Sequence, residues 1–107
     1  MERSQAEDID ALFRAILALK DGTECRDFFE DLCTIQELHD MVQRLRVARM
    51  LMDGVNYKEI SRETGMSTAT ICRVNRSLEY GRGGYRTVLN RIEEQKGNEN
   101  GRTAAEK

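Results

Sequence analysis

The stretch Tyr57-Lys58-Glu59-Ile60-Ser61-Arg62-Glu63-Thr64-Gly65-Met66-Ser67-Thr68-Ala69-Thr70-Ile71-Cys72-Arg73-Val74 decides how this chain reads. Two helical patterns meet at Gly65, a residue type that takes positive φ without a steric penalty. Four positions earlier stands Ser61, small enough for two helices to cross closely. Ile60, Met66, Ile71 and Val74 sit at offsets from the glycine that pin one helix against the other. Ser67 is placed to cap the second helix. A lone glycine between two helices would carry little. The whole constellation predicts a helix-turn-helix over residues 56–79, against the plainer alternative of an αα-hairpin.

A helix-turn-helix lays its second helix in the major groove, with the amino-terminal end of that helix reading bases. Ser67, Thr68, Ala69, Thr70 and Arg73 would then lie near base edges or the adjoining phosphates. Their mostly short side chains allow close approach, and a helix amino terminus favours phosphate. Threonine methyls can touch thymine, and threonine hydroxyls can bond either base type. Lys58 and Arg62 on the first helix, with Arg76 on the second, are placed to meet the backbone. Any one of these cations alone would be an ordinary solvated charge. Their distribution gives them weight: residues 1–40 hold four basic against eleven acidic side chains, whereas residues 56–91 hold seven basic against three. Contact with a polyanion therefore falls beyond residue 55.

Outward from this segment the chain reads as helices throughout. Ser4 and Glu7 have capping-box spacing at the start of a helix to Lys20, with Ile9, Leu12, Phe13, Ile16 and Leu17 on one face. Gly22 suits a left-handed position at its end. A short helix covers Glu24 to Leu32. Thr34, with Glu37, then opens the longest helix, whose stripe is Leu38, Met41, Val42, Leu45, Ala48, Leu51 and Met52 and which Gly54 ends. Asn56 and Glu59 repeat the capping-box spacing. Gly81-Arg82-Gly83-Gly84 reads as a flexible connector rather than a phosphate cradle. Tyr85 to Gln95 forms a last helix with Val88, Leu89 and Ile92 on one side. This places one helical domain over residues 1–95, and residues 96–107, which lose periodicity, are expected to be a disordered tail.

Composition narrows the function classes. With 107 residues and a net charge of −2, the chain has the size of one domain and no general attraction for polyanions. It has no run of about 18 apolar residues that could span a membrane, and its polar, acidic amino terminus lacks the pattern of a secretion signal. Cys25, Cys33 and Cys72 are odd in number and lack paired spacing, so they read as reduced, mostly buried thiols of a cytoplasmic protein, and no metal site is expected. Met41, Met50 and Met52 read as core filler. Catalysis finds little support: His39 and Asp40 are adjacent on a helix and point about 100° apart. Cys72 has no histidine near it in sequence.

The sequence resembles the Trp repressor family, in its YerC/YecD-type subgroup, from about Leu17 to Ile92. The resemblance is carried by Leu19-Lys20-Asp21, by Phe28-Phe29-Glu30-Asp31-Leu32-Cys33-Thr34-Ile35, by Gln43-Arg44-Leu45-Arg46-Val47-Ala48-Arg49-Met50-Leu51, and by Gly65 to Val74. It implies an all-α, six-helix, intertwined homodimer that regulates transcription in a bacterial cytoplasm. It also implies an effector pocket in which two arginines sandwich an indole ring and hydroxyls hold the amino-acid backbone. Arg44 and Arg73 fall on the arginine positions, and Thr34 and Ser77 on the hydroxyl positions. Two positions depart from the tryptophan-binding pattern. Val74 replaces the glycine that leaves room for the ring, and Asp31 replaces an apolar wall residue. A branched side chain and an unpaired carboxylate both oppose burial of an indole, so tryptophan is not an expected effector and no cofactor is expected.

One reading helix covers only a few base pairs, and specific affinity usually needs two about 34–36 Å apart. The apolar stripes of residues 9–17 and 38–52 exceed what so small a chain can bury alone, which predicts a two-fold homodimer built from the amino-terminal half. The leading expectation is a dimeric, sequence-specific regulator, with repression as its sense, on palindromic double-stranded DNA. A competing one is a helical protein-interaction module whose acidic first helix docks a partner.

Overall fold

The computed structural model describes residues 4–106, with side chains described as far as Asn98. The order of elements is α1 (Gln5–Leu17), α2 (Gly22–Leu32), α3 (Ile35–Met52), α4 (Tyr57–Thr64), α5 (Thr68–Tyr80) and α6 (Gly84–Glu106), with no strand among the described residues. The chain divides into two compact units, residues 1–39 and 40–107.

In the first unit, side chains set the helix starts. Ser4 Oγ accepts from the Glu7 N–H at 3.2 Å. Thr34 and Glu37 form a full reciprocal box, each side chain accepting the other's backbone N–H, at 3.1 and 2.9 Å. Between them the sequence reading needs correcting. The first helix stops at Leu17 rather than Lys20, and Gly22 is not its left-handed cap. Gly22 is instead the first residue of α2, because Asp21 Oδ1 accepts from the Glu24 N–H at 2.9 Å while the Glu24 carboxylate accepts from the Lys20 N–H at 3.0 Å. The Asp21–Glu24 spacing is the capping signal that this reading missed. Phe28 and Phe29 meet edge to face, 5.6 Å between centroids. Neither α1 nor α2 contains a buried residue, and Leu17 remains 83% exposed.

The second unit holds the core. Val47 and Ala48 of α3, Ile60 of α4, Ile71 and Val74 of α5, and Leu89 of α6 pack together, with Met50, Met52, Tyr57, Met66 and Tyr85 against them. The stripe predicted for α3 is only partly core. Ala48 is buried, but Met41, Val42 and Leu45 are exposed, and Val47, off the predicted stripe, is fully buried. Likewise Leu89 is buried while Val88 is about half exposed. Two bonds fasten α3 beyond this packing: Gln43 Nε2 donates to the Thr64 carbonyl at 3.1 Å, and Arg49 donates to the Leu89 carbonyl at 3.3 Å beside Glu93. Gly54 ends α3 at φ +82°, and the Val55 N–H reaches back to the Met50 carbonyl.

The connector before α6 is more constrained than its composition suggests. A Cβ on Gly81 would run into the Ser77 carbonyl, and Gly83 sits at φ +80°. Arg86 closes the corner through the Leu78 carbonyl at 3.3 Å and Glu79 at 3.1 Å. The final helix continues past Gln95 to Glu106, through the segment predicted as a tail. The backbone stays helical there although the stretch includes Gly97, Asn98, Asn100 and Gly101, residue types of low helix propensity. The side chains of residues 99–107 lie outside the described residues. Among the described residues, no helix is long and apolar enough to cross a membrane.

Candidate nucleic-acid interface

The bihelical unit is built from inside its own turn. Asn56 Oδ1 caps α4 by accepting from the Glu59 N–H at 2.9 Å. Gly65 ends α4 at φ +73°, its N–H bonded to the Ser61 carbonyl. The Thr64 hydroxyl donates to the Ile60 carbonyl at 2.7 Å and accepts from the Met66 N–H at 3.1 Å. Ser61 is more than small. Its hydroxyl donates to the Met66 carbonyl at 2.8 Å, tying the first helix to the residue after the turn. Ile60 and Ile71 are wholly buried, so α4 and α5 are locked by packing as well as by polar bonds.

This leaves one face of α5 open. Thr68, Ala69, Arg73 and Arg76 are exposed, as are Lys58 and Arg62 on α4. Arg62 is held by Glu59 one turn earlier, so Lys58 is the less encumbered cation of the two. Ser67 Oγ caps α5 by accepting from the Thr70 N–H at 3.2 Å and lies 3.0 Å from the Thr70 hydroxyl. Those two hydroxyls are thus engaged with each other, and Thr70 turns toward a cavity rather than standing on the open face. Cys72 is an exposed residue that the sequence reading left out of the face, and Cys25 is exposed too, so the expectation of mostly buried thiols fails. The spacing 69, 72, 73, 76 could have found Cys72, because residues three and four apart share a helix face. Tyr57 stands beside Cys72 and Asn75. Partial burial pushes its phenol above the usual tyrosine range, and the neighbouring thiol adds to the shift.

Beside this face lies a cavity of about 350 Å³, lined by Arg44, Thr70, Arg73, Val74, Ser77 and Tyr85. Three of the four residues named for an effector pocket, Arg44, Arg73 and Ser77, therefore meet at one place. Thr34 belongs to the other unit, where its hydroxyl caps α3. Val74 is 4% exposed and occupies the cavity wall with its branched side chain. Thr70 and Tyr85 are lining residues that spacing alone did not single out. A second, apolar groove of about 580 Å³ runs past Leu45, Gly81, Arg82, Tyr85 and Val88. Among the described residues, no group of three or more His, Cys, Asp and Glu could hold a metal ion.

Comparison with known proteins agrees with this architecture. Residues 7–93 match the family described as Trp repressor protein. The uncharacterized protein YerC of Bacillus subtilis (strain 168) is 50% identical over 94 residues, covering 88% of this chain and 90% of the relative. The crystal structure of a TrpR-like protein from Eubacterium eligens ATCC 27750 is 52% identical and superposes with a TM-score of 0.77, covering 85% of this chain and 92% of that one. A structure from Staphylococcus aureus, 45% identical, gives 0.76 over 85% of this chain and 96% of that one. The chain belongs to the Trp repressor family and is similar to its YerC branch.

Proposed function

We propose that this protein is a sequence-specific DNA-binding transcriptional regulator of the bacterial cytoplasm. It binds palindromic sites as a homodimer, with repression as its sense. The observation that carries this reading is the open amino-terminal half of α5. Thr68, Ala69 and Arg73 stand exposed just after a Gly65 turn that the Ser61 and Thr64 hydroxyls tie to Met66. The docking follows the general geometry of helix-turn-helix proteins, Trp repressor among them. Lys58, Arg62 and Arg76 supply backbone contacts, and Arg73 reaches base edges and the adjoining phosphates.

The dimer is argued from what one chain leaves uncovered. Phe13 and Leu17 on α1, Leu32 on α2, Ile35, Val42 and Leu45 on α3, and Val88 on α6 are all exposed. Apolar surface on this scale marks an interaction site, and a two-fold partner also provides the second reading helix. The test is selection of random duplex DNA by the purified protein at physiological salt. A palindrome is expected to be enriched by the parent and lost by Arg73→Ala. Enrichment of no site, or of the same site by both, would overturn the reading.

The cavity of Arg44, Arg73 and Ser77 is the proposed effector pocket; Thr34, the remaining position of the family pattern, lies in the other unit. Its proposed ligand is something other than tryptophan: Val74, at the position where the tryptophan-binding pattern has glycine, stands with its branched side chain in the cavity wall. Calorimetric titration with L-tryptophan should show no binding below millimolar concentration. A micromolar Kd would refute this assignment and leave the DNA reading intact.

A further inference from the structure

From the bond between Gln43 and Thr64 we infer that Gln43 is a positioning residue for DNA reading, holding the turn of the bihelical unit at the angle a selected site requires. The inference rests on the DNA-binding function proposed above.

Thr64 is the last residue of α4, and a carbonyl there has no partner within its own helix. Gln43 supplies one from α3, with Nε2 donating at 3.1 Å across a separation of 21 residues. The other bonds described at the turn come from Ser61 and Thr64, residues of the bihelical unit itself. They fix the inner shape of the turn and leave its orientation on the domain to α3 and α6, of which α6 holds the far end of α5 and, among the described residues, α3 alone bonds the turn. Packing of Val47 and Ala48 in one cluster with Ile60 and Ile71 holds the unit by apolar contact, which lacks the directionality that opposes a small sliding of α4 on α3. A directional hydrogen bond on the turn opposes that sliding.

The next residue gives the bond a second consequence. Arg44 lines the cavity with Thr70, Arg73 and Ser77 of α5. Adjacent residues of α3 thus address the two parts of the reader, Gln43 the turn and Arg44 the side of the reading helix.

The experiment measures affinity for the selected palindrome and for random duplex, together with thermal unfolding, for the parent, Gln43→Met and Gln43→Lys. Methionine keeps the length and unbranched shape but has no donor; lysine restores a donor of similar reach. Gln43→Met is expected to lower the ratio of specific to random affinity about tenfold, with random-duplex affinity and its salt dependence unchanged. Gln43→Lys is expected to recover most of the ratio, because an added charge raises both affinities alike. An unchanged ratio in Gln43→Met overturns the proposal, as does an equal loss on both duplexes that tracks a fall in Tm. Failure of the parent to prefer any site would overturn the DNA reading itself, and this inference with it.

Discussion

Affinity for the selected duplex should fall about 10³-fold between 50 and 200 mM salt, the scale set by roughly six neutralised phosphates. Lys58, Arg73 and Arg76, presented twice by a dimer, supply that number of cations from exposed positions. Each bound phosphate releases condensed counterions, so the logarithm of affinity falls linearly with that of salt concentration. Arg62 is left out because Glu59 already holds it. Fluorescence anisotropy over a salt series measures the slope directly. A helical module that docks a protein partner through its acidic first helix predicts no duplex binding with such a slope. A flat series would therefore favour that competing function over the present one.

Truncating Ile71 to alanine should have the largest effect on the fold. Its side chain is fully buried and packs where α3, α4, α5 and α6 meet. Removing such a side chain from a core costs about 2–5 kcal/mol, combining lost transfer energy with the cavity left behind. A small domain has only about 5–15 kcal/mol in total, so thermal unfolding should move down by more than about 10 °C. Thr68→Ala, three residues away on the open face, should change stability by less than about 0.5 kcal/mol. Differential scanning calorimetry of the two variants checks both. Equal effects would mean that α5 does not present one buried and one open face.

The parts of this fold that were legible in sequence are those decided within a few residues. Ser4, Thr34, Asn56 and Ser67 each cap the helix that follows, and Gly54 and Gly65 each take positive φ where a helix ends. These choices depend on local backbone chemistry, which spacing records. Position in the sequence does not record which side of an apolar helix meets the chain's own core. Hence Val47, off the periodic stripe, is buried, while Met41, Val42 and Leu45, on it, are exposed. Gly22 shows a local ambiguity: glycine fits either end of a helix, and the Asp21–Glu24 pair decided between them. At the candidate site, charge sign and spacing pointed to the side of α5 that is exposed, but the mutual bond of Ser67 and Thr70 needed coordinates to see. The same is true of Tyr85, which joins the cavity from a helix beyond the connector.

Because these helices carry their own start signals close at hand, ordering can begin while the polypeptide is still leaving the ribosome. Local turns of this kind form on the microsecond scale, far faster than residues are added. The bond from Gln43 to Thr64 must wait until both helices have emerged. Both partners of that bond precede α5 in the chain, so the mount of the reader can be set before its reading helix is finished.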